Sequence, residues 1–118
     1  MLSTVPDNPL GLRALAALGE AGVDQRFVRR AAGRMGLYLF EPPSGPIVGR
    51  VTYDRAGSAF ALTQPEDIDF AGALDGARLL HLSGITPALG PNGVALAKKA
   101  VAAARAAGVP ICFDGNYR

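Results

Sequence analysis

From Arg78 to Ser83 the chain runs apolar and compact, as a buried parallel strand does, and from Ile111 to Phe113 an apolar strand starts again. Between these runs, from about Asn92 to Ala107, lies a helical pattern in which Val94, Ala97, Val101 and Ala104 share one face while Lys98, Lys99 and Arg105 reach solvent. Gly108 suits the position just past a helix end, because a residue without a β-carbon enters the left-handed conformation freely, and Pro110 blocks continuation of the helix. Strand, helix and strand in this order predict a parallel pair, and the right-handed crossover rule places the helix on one face of an open α/β sheet. Such sheets bind ligands outside the carboxyl ends of their strands, which here are Gly84-Ile85 and Asp114-Gly115-Asn116-Tyr117-Arg118. Thr86, Pro87 and Pro91 read as the loop that leads into the helix.

Upstream, Asn8 and Pro9 suit a cap and a first helical position, and Leu12, Leu15, Ala16 and Leu18 give a short apolar stripe ending near Gly19 and Gly22. From Arg34 to Phe40 the residues alternate, with Met35, Leu37 and Leu39 on one face and Gly36, Tyr38 and Phe40 on the other, which predicts a strand. Glu41 to Pro46 holds three prolines and a glycine and should turn the chain, after which Ile47 to Arg55 predicts a second strand. Pro65, Glu66 and Asp67 open a short helix that continues through Phe70 and Leu74.

Composition excludes several classes. At 118 residues and 49% hydrophobic, the chain has the size and apolar content of one globular domain rather than of a disordered segment. Twelve Lys+Arg against ten Asp+Glu leave a formal charge of +2, and the one basic cluster, Arg29, Arg30 and Arg34, reads as a solvated face, so no nucleic-acid partner is expected. Cys112 has no second cysteine to pair with; it reads as buried packing between Ile111 and Phe113, which suits a reducing compartment. Met1 to Gly11 shows neither a basic start nor a long apolar stretch, and no run reaches the roughly eighteen apolar residues of a membrane span. A cytoplasmic location without a membrane partner is therefore expected.

On the residues alone, Tyr38 and Tyr53 read as strand residues packing on a neighbour, and Arg55 as a solvated turn residue. Asp114 and Asn116 fit an Asx-type turn as well as they fit a strand-end site. His81, between Leu80 and Leu82, reads as a packed strand histidine, since no second His or Cys lies near it to share a metal. Gly36 and Gly84 read as backbone-geometry positions, with Gly84 also able to admit a close ligand.

Four stretches carry a resemblance. They are Pro6-Asp7-Asn8-Pro9-Leu10-Gly11; Gly33-Arg34-Met35-Gly36-Leu37-Tyr38 leading to Val51-Thr52-Tyr53-Asp54-Arg55-Ala56-Gly57-Ser58-Ala59; His81-Leu82-Ser83-Gly84-Ile85-Thr86-Pro87-Ala88-Leu89; and Phe113-Asp114-Gly115-Asn116-Tyr117-Arg118. Together they resemble the PfkB (ribokinase-like) carbohydrate kinases, and within them the 2-keto-3-deoxygluconate kinases, over essentially the whole chain but well under half of a full family member. The resemblance implies a partial ribokinase-like α/β fold: positions 1–33 in the core, 34–60 forming the strands of a small β lid, and 61–118 continuing the core up to the nucleotide-binding half. It also implies a kinase that moves the γ-phosphate of ATP, with Mg²⁺, onto a sugar acid. Tyr38, Tyr53, Arg55, Ile85 and Arg118 would line the sugar-acid pocket, with Asp114 and Asn116 nearer the phosphates and metal, and copies would pair through the lid. Arginine forks suit a carboxylate and its neighbouring oxygens, and tyrosine offers an apolar ring with a polar tip.

The family's Gly-x-Gly-Asp segment, whose aspartate is the catalytic base, does not occur in these residues, so no catalytic residue is assigned. The family's N-terminal strand, its glycine-rich sugar-binding segment and its nucleotide pocket are likewise expected outside them. Phosphoryl transfer rests on positioning and charge stabilisation around ATP, and these 118 residues by themselves are expected to be inactive. Competing readings are a PfkB kinase for a neutral sugar such as fructose or ribose, and a non-catalytic α/β interaction module. A dinucleotide-binding domain is disfavoured, because no Gly-x-Gly-x-x-Gly follows a strand.

Overall fold

The computed structural model describes residues 1–116. Strand β1 (Ser3–Pro6), helix α1 (Pro9–Glu20) and strand β2 (Val28–Ala31) form one strand-helix-strand unit, with β1 and β2 parallel and Thr4 opposite Arg29. A hairpin follows, β3 (Leu37–Glu41) antiparallel to β4 (Arg50–Asp54). Helix α2 (Phe70–Leu74), β5 (Leu80–Ser83), α3 (Ile85–Ala88), α4 (Pro91–Ala106) and β6 (Ile111–Asp114) complete the order, β5 and β6 pairing in parallel on either side of α4. The fold is α/β, with two short parallel pairs and a separate antiparallel ribbon.

The first unit was not anticipated as strands. Ser3, Thr4, Arg29 and Arg30 lack the apolar signature of a buried strand, and pairing rather than composition makes them one. Asn8 caps α1 by accepting from the amides of Leu10 at 3.0 Å and Gly11 at 3.2 Å, and its side-chain amide donates to the Gly33 carbonyl. A β-carbon on Gly11 would lie 1.8 Å from the Pro6 carbonyl oxygen, so α1 can sit this close to the end of β1 only with glycine there. The arginine cluster dissolves into separate ion pairs, Arg29 with Asp67, Arg30 with Asp7 and Arg34 with Asp54.

The core gathers Phe70 and Leu74 of α2, Leu96, Ala100 and Ala104 of α4, and Val109, with Leu80 and Ile111 of the parallel pair packed against them. Relative to the expected stripe, the buried face of α4 is rotated: Leu96, Ala100 and Ala104 are buried, whereas Val94 is exposed. Helix α2 draws this face towards itself, while Ala97 and Val101 border a shallow open groove with Leu82 and Phe113. The expected loop at Thr86 and Pro87 is instead one turn of helix, α3, and Gly93 lets it approach, since a β-carbon there would stand 2.0 Å from the Thr86 carbonyl oxygen.

Two burial expectations fail for one reason. His81 and Cys112, which face each other in register, are both exposed. Leu80 and Ile111 point to the core, so strand alternation puts His81 and Cys112 on the opposite face of the pair, which no described element covers. The hairpin is exposed along both strands and reaches away from the core. The radius of gyration, 15.7 Å, accordingly exceeds the ~13 Å of a compact 100-residue domain. No helix among the described residues is long and apolar enough to cross a membrane.

Candidate functional site

Antiparallel register brings Tyr38 of β3 directly opposite Tyr53 of β4, so both rings lie on one face of the hairpin together with Phe40 and Val51. They do not pack into a core: Tyr38 is 64% and Tyr53 52% exposed. Arg55 follows β4, and its guanidinium carbon lies 4.4 Å from the centre of the Tyr53 ring, a stacked cation–π geometry. Among the described residues no hydrogen bond or ion pair engages that guanidinium, unlike those of Arg29, Arg30 and Arg34. Its N–H donors remain available.

The second group sits at the carboxyl ends of β5 and β6. Ser83 is opposite Asp114, and the Asp114 carbonyl accepts from the Gly84 amide at 2.8 Å. The Asp114 carboxylate accepts from the Asn116 backbone at 2.9 Å and from its side-chain amide at 3.3 Å, closing an Asx turn that holds Asn116 at φ 46°. The Ser83 hydroxyl oxygen accepts from the side chain of Asn116 and from the amide of Ile85, both at 3.3 Å. Ser83 therefore ties Ile85, Asp114 and Asn116 into one network. Sequence reasoning did not single it out, although it precedes Gly84 in the stretch that carried the resemblance. Arg118 lies outside the described residues.

Hydrogen bonds and ring contacts join residues within each group, and among the described residues none runs from one group to the other. A cavity of about 600 Å³ opens beside the strand ends, lined by Ser3, His81, Ser83 and Thr86 but mostly by apolar side chains such as Leu2, Phe70, Leu74, Ile85 and Leu96. Tyr38, Tyr53 and Arg55 are absent from its wall. Such a lining suits packed hydrocarbon rather than a charged sugar.

Gly84 acts here through the backbone. A β-carbon on it would sit 2.3 Å from the Gly115 carbonyl oxygen, so the two strand-end turns touch with no room for a side chain. Gly84→Ala is expected to push the Asp114-Asn116 turn outward and to cost about 1–3 kcal/mol by overpacking. Urea unfolding followed by circular dichroism checks the cost, and the Asn116 amide resonance checks the displacement; neither would change if the turns were independent.

No family model matches the chain. Curated relatives do, among them a 2-dehydro-3-deoxygalactonokinase from Haloferax volcanii, 33% identical over 117 residues, covering 99% of this chain and 36% of the relative, and a 5-dehydro-2-deoxygluconokinase from Shouchella clausii, 34% identical over 116 residues, 97% of this chain and 35% of the relative. Among solved structures, the 2-dehydro-3-deoxygluconokinase of Thermotoga maritima superposes with a TM-score of 0.93 at 38% identity, and a PfkB family carbohydrate kinase from Listeria grayi with 0.91 at 38%, each across 99% of this chain. The chain spans about a third of these proteins, 36% and 37% of the two solved chains. Over that span its fold is that of these kinases and its sequence is similar to theirs.

Proposed function

We propose that this chain, similar throughout its length to part of a PfkB carbohydrate kinase, supplies a portion of the sugar-acid site of an enzyme that phosphorylates 2-keto-3-deoxygluconate. The hairpin is the lid, positions 34–60, and the flanking stretches 1–33 and 61–118 belong to the α/β core. Tyr38, Tyr53 and Arg55 meet the substrate from the lid, Ile85 and Arg118 meet it from the core, and Asp114 and Asn116 stand towards the transferred phosphate. The observation that carries this reading is the Arg55 guanidinium, held against the Tyr53 ring at 4.4 Å with its donors unengaged among the described residues, which is what a planar carboxylate requires. Lid residues that are apolar and exposed on both faces, Leu37, Leu39, Tyr38 and Phe40 among them, support pairing of the lid with another copy.

ATP and Mg²⁺ are the cofactors that go with this family. Among the described residues both oxygens of Asp114 accept from Asn116, which fixes the turn that would stand towards them. The part of this chain is to bind and orient the acceptor sugar.

Titration of the ¹⁵N- and ¹³C-labelled chain with 2-keto-3-deoxygluconate and, separately, with fructose and ribose tests the reading. The Tyr38 and Tyr53 rings and the Arg55 side chain are expected to shift with the acid and to stay unmoved by the neutral sugars. Shifts of equal size with fructose or ribose would point to a neutral-sugar kinase. Silence with all three would leave an interaction module.

A further inference from the structure

We propose that Arg34 is a positioning residue for Arg55, one guanidinium gripping the backbone on both sides of another; its consequence for acid recognition rests on the function proposed above. Arg34 Nη1 donates to the Ala56 carbonyl at 2.7 Å, while Nη2 donates to the Asp54 carbonyl at 3.3 Å and pairs with the Asp54 carboxylate. The residues so held, 54 and 56, are the two neighbours of Arg55. From the other side the Arg34 carbonyl accepts from the Ala59 amide at 2.9 Å, so backbone and side chain of one residue fasten the segment that leaves β4.

Beyond Arg34, the Ser58 amide closes a turn onto the Arg55 carbonyl at 3.2 Å and Ser58 and Ala59 are buried, so Arg34 is what ties residues 54–56 to this anchored end. Gly57 turns at φ 65°, and a β-carbon on Gly36 would come within 3.3 Å of Ser58, so the stretch after Arg34 lies directly against the stretch after Arg55. The hairpin strands are exposed throughout and bury nothing that could fix their orientation. A fork of donors recognises a carboxylate only while its plane is held, and the plane of Arg55 is set by the Tyr53 ring on one side and by its own backbone on the other. Lysine at position 34 would keep the charge but gather its donors on one nitrogen, whereas the guanidinium sets a separate nitrogen against each carbonyl. Asp54 is the complementary half of the device, since its carboxylate aligns the guanidinium that its carbonyl then shares.

The test is made first without ligand, on the whole chain. Stacking on Tyr53 shifts the Arg55 δ-proton resonances upfield, and in Arg34→Ala at least half of that shift is expected to vanish. Amide exchange from Tyr53 to Ser58 should quicken roughly tenfold as the segment opens locally, while the Leu96 and Ala100 methyl resonances stay in place. A general loss of structure would move those methyls as well. Arg34→Lys should behave like the alanine variant, and Asp54→Asn, which retains the carbonyl contacts, should give an intermediate change; Asp54→Asn decides the matter if Arg34→Ala fails to fold. Unaltered Arg55 resonances and exchange rates in these variants would overturn the proposal. Titration with 2-keto-3-deoxygluconate then separates the two readings: a wild-type chain that ignores the acid removes the substrate assignment, and the ligand-free shifts still decide the clamp.

Discussion

Phe70→Ala is expected to remove a large part of the chain's stability, about 3–5 kcal/mol. Phe70 is 7% exposed and belongs to the cluster that joins α2, α4 and the β5-β6 pair, the one contiguous core of buried residues in the described structure. Truncating such a ring leaves a void as well as lost transfer energy. A domain of this size has about 5–15 kcal/mol to lose, and here many large apolar side chains, Leu79, Phe113 and Val48 among them, stay in water. The remaining margin should be small. Urea titration followed by far-ultraviolet circular dichroism measures it, with Phe70→Leu as the control, since a substitution closer in volume should cost less than about 1.5 kcal/mol. A midpoint for Phe70→Ala within experimental error of the wild type would show that the α2-α4 contact does not hold the fold.

The part of the fold that was legible in the sequence is the part whose signals are local. Asn8 and Pro9 mark the start of α1 by their own chemistry, Gly108 and Pro110 mark the end of α4, and the alternation from Leu37 to Phe40 marks β3. What escaped depends on partners distant along the chain. Strand β1 exists through β2, some twenty-five positions away, and its Ser3 and Thr4 give no period to detect. The rotation of the buried face of α4 follows from where α2 lies, and alanine at so many helical positions leaves the stripe ambiguous. Cys112 and His81 were assigned to the interior because their neighbours are apolar, yet alternation puts only Ile111 and Leu80 inwards. The candidate site shows the same division. Tyr38, Tyr53 and Arg55 came from a motif, whereas their mutual arrangement, and the ties supplied by Arg34 and Ser83, came only from register and turn geometry.

Arg55→Lys, in a kinase that contains this segment, is expected to raise KM for 2-keto-3-deoxygluconate by roughly tenfold to a hundredfold, the equivalent of one charge-assisted hydrogen bond of about 1.5–3 kcal/mol. Lysine keeps the positive charge and can still sit over the Tyr53 ring, so neither a general electrostatic effect nor the loss of stacking explains such a rise. What lysine lacks is the planar fork that addresses two oxygens of a carboxylate together. KM for ATP should hardly change, because Arg55 leaves the lid hairpin beside Tyr53 and has no part in the Ser83-Asp114-Asn116 network at the strand ends. A neutral sugar supplies the control. Fructose has no carboxylate for the fork to meet, and any turnover of it should suffer little from the substitution, so that the preference for the acid narrows by the same factor as KM rises. Equal losses for both sugars would mean that Arg55 shapes the lid without reading the acid, and no loss for either would return it to the solvated turn that its sequence position alone suggests.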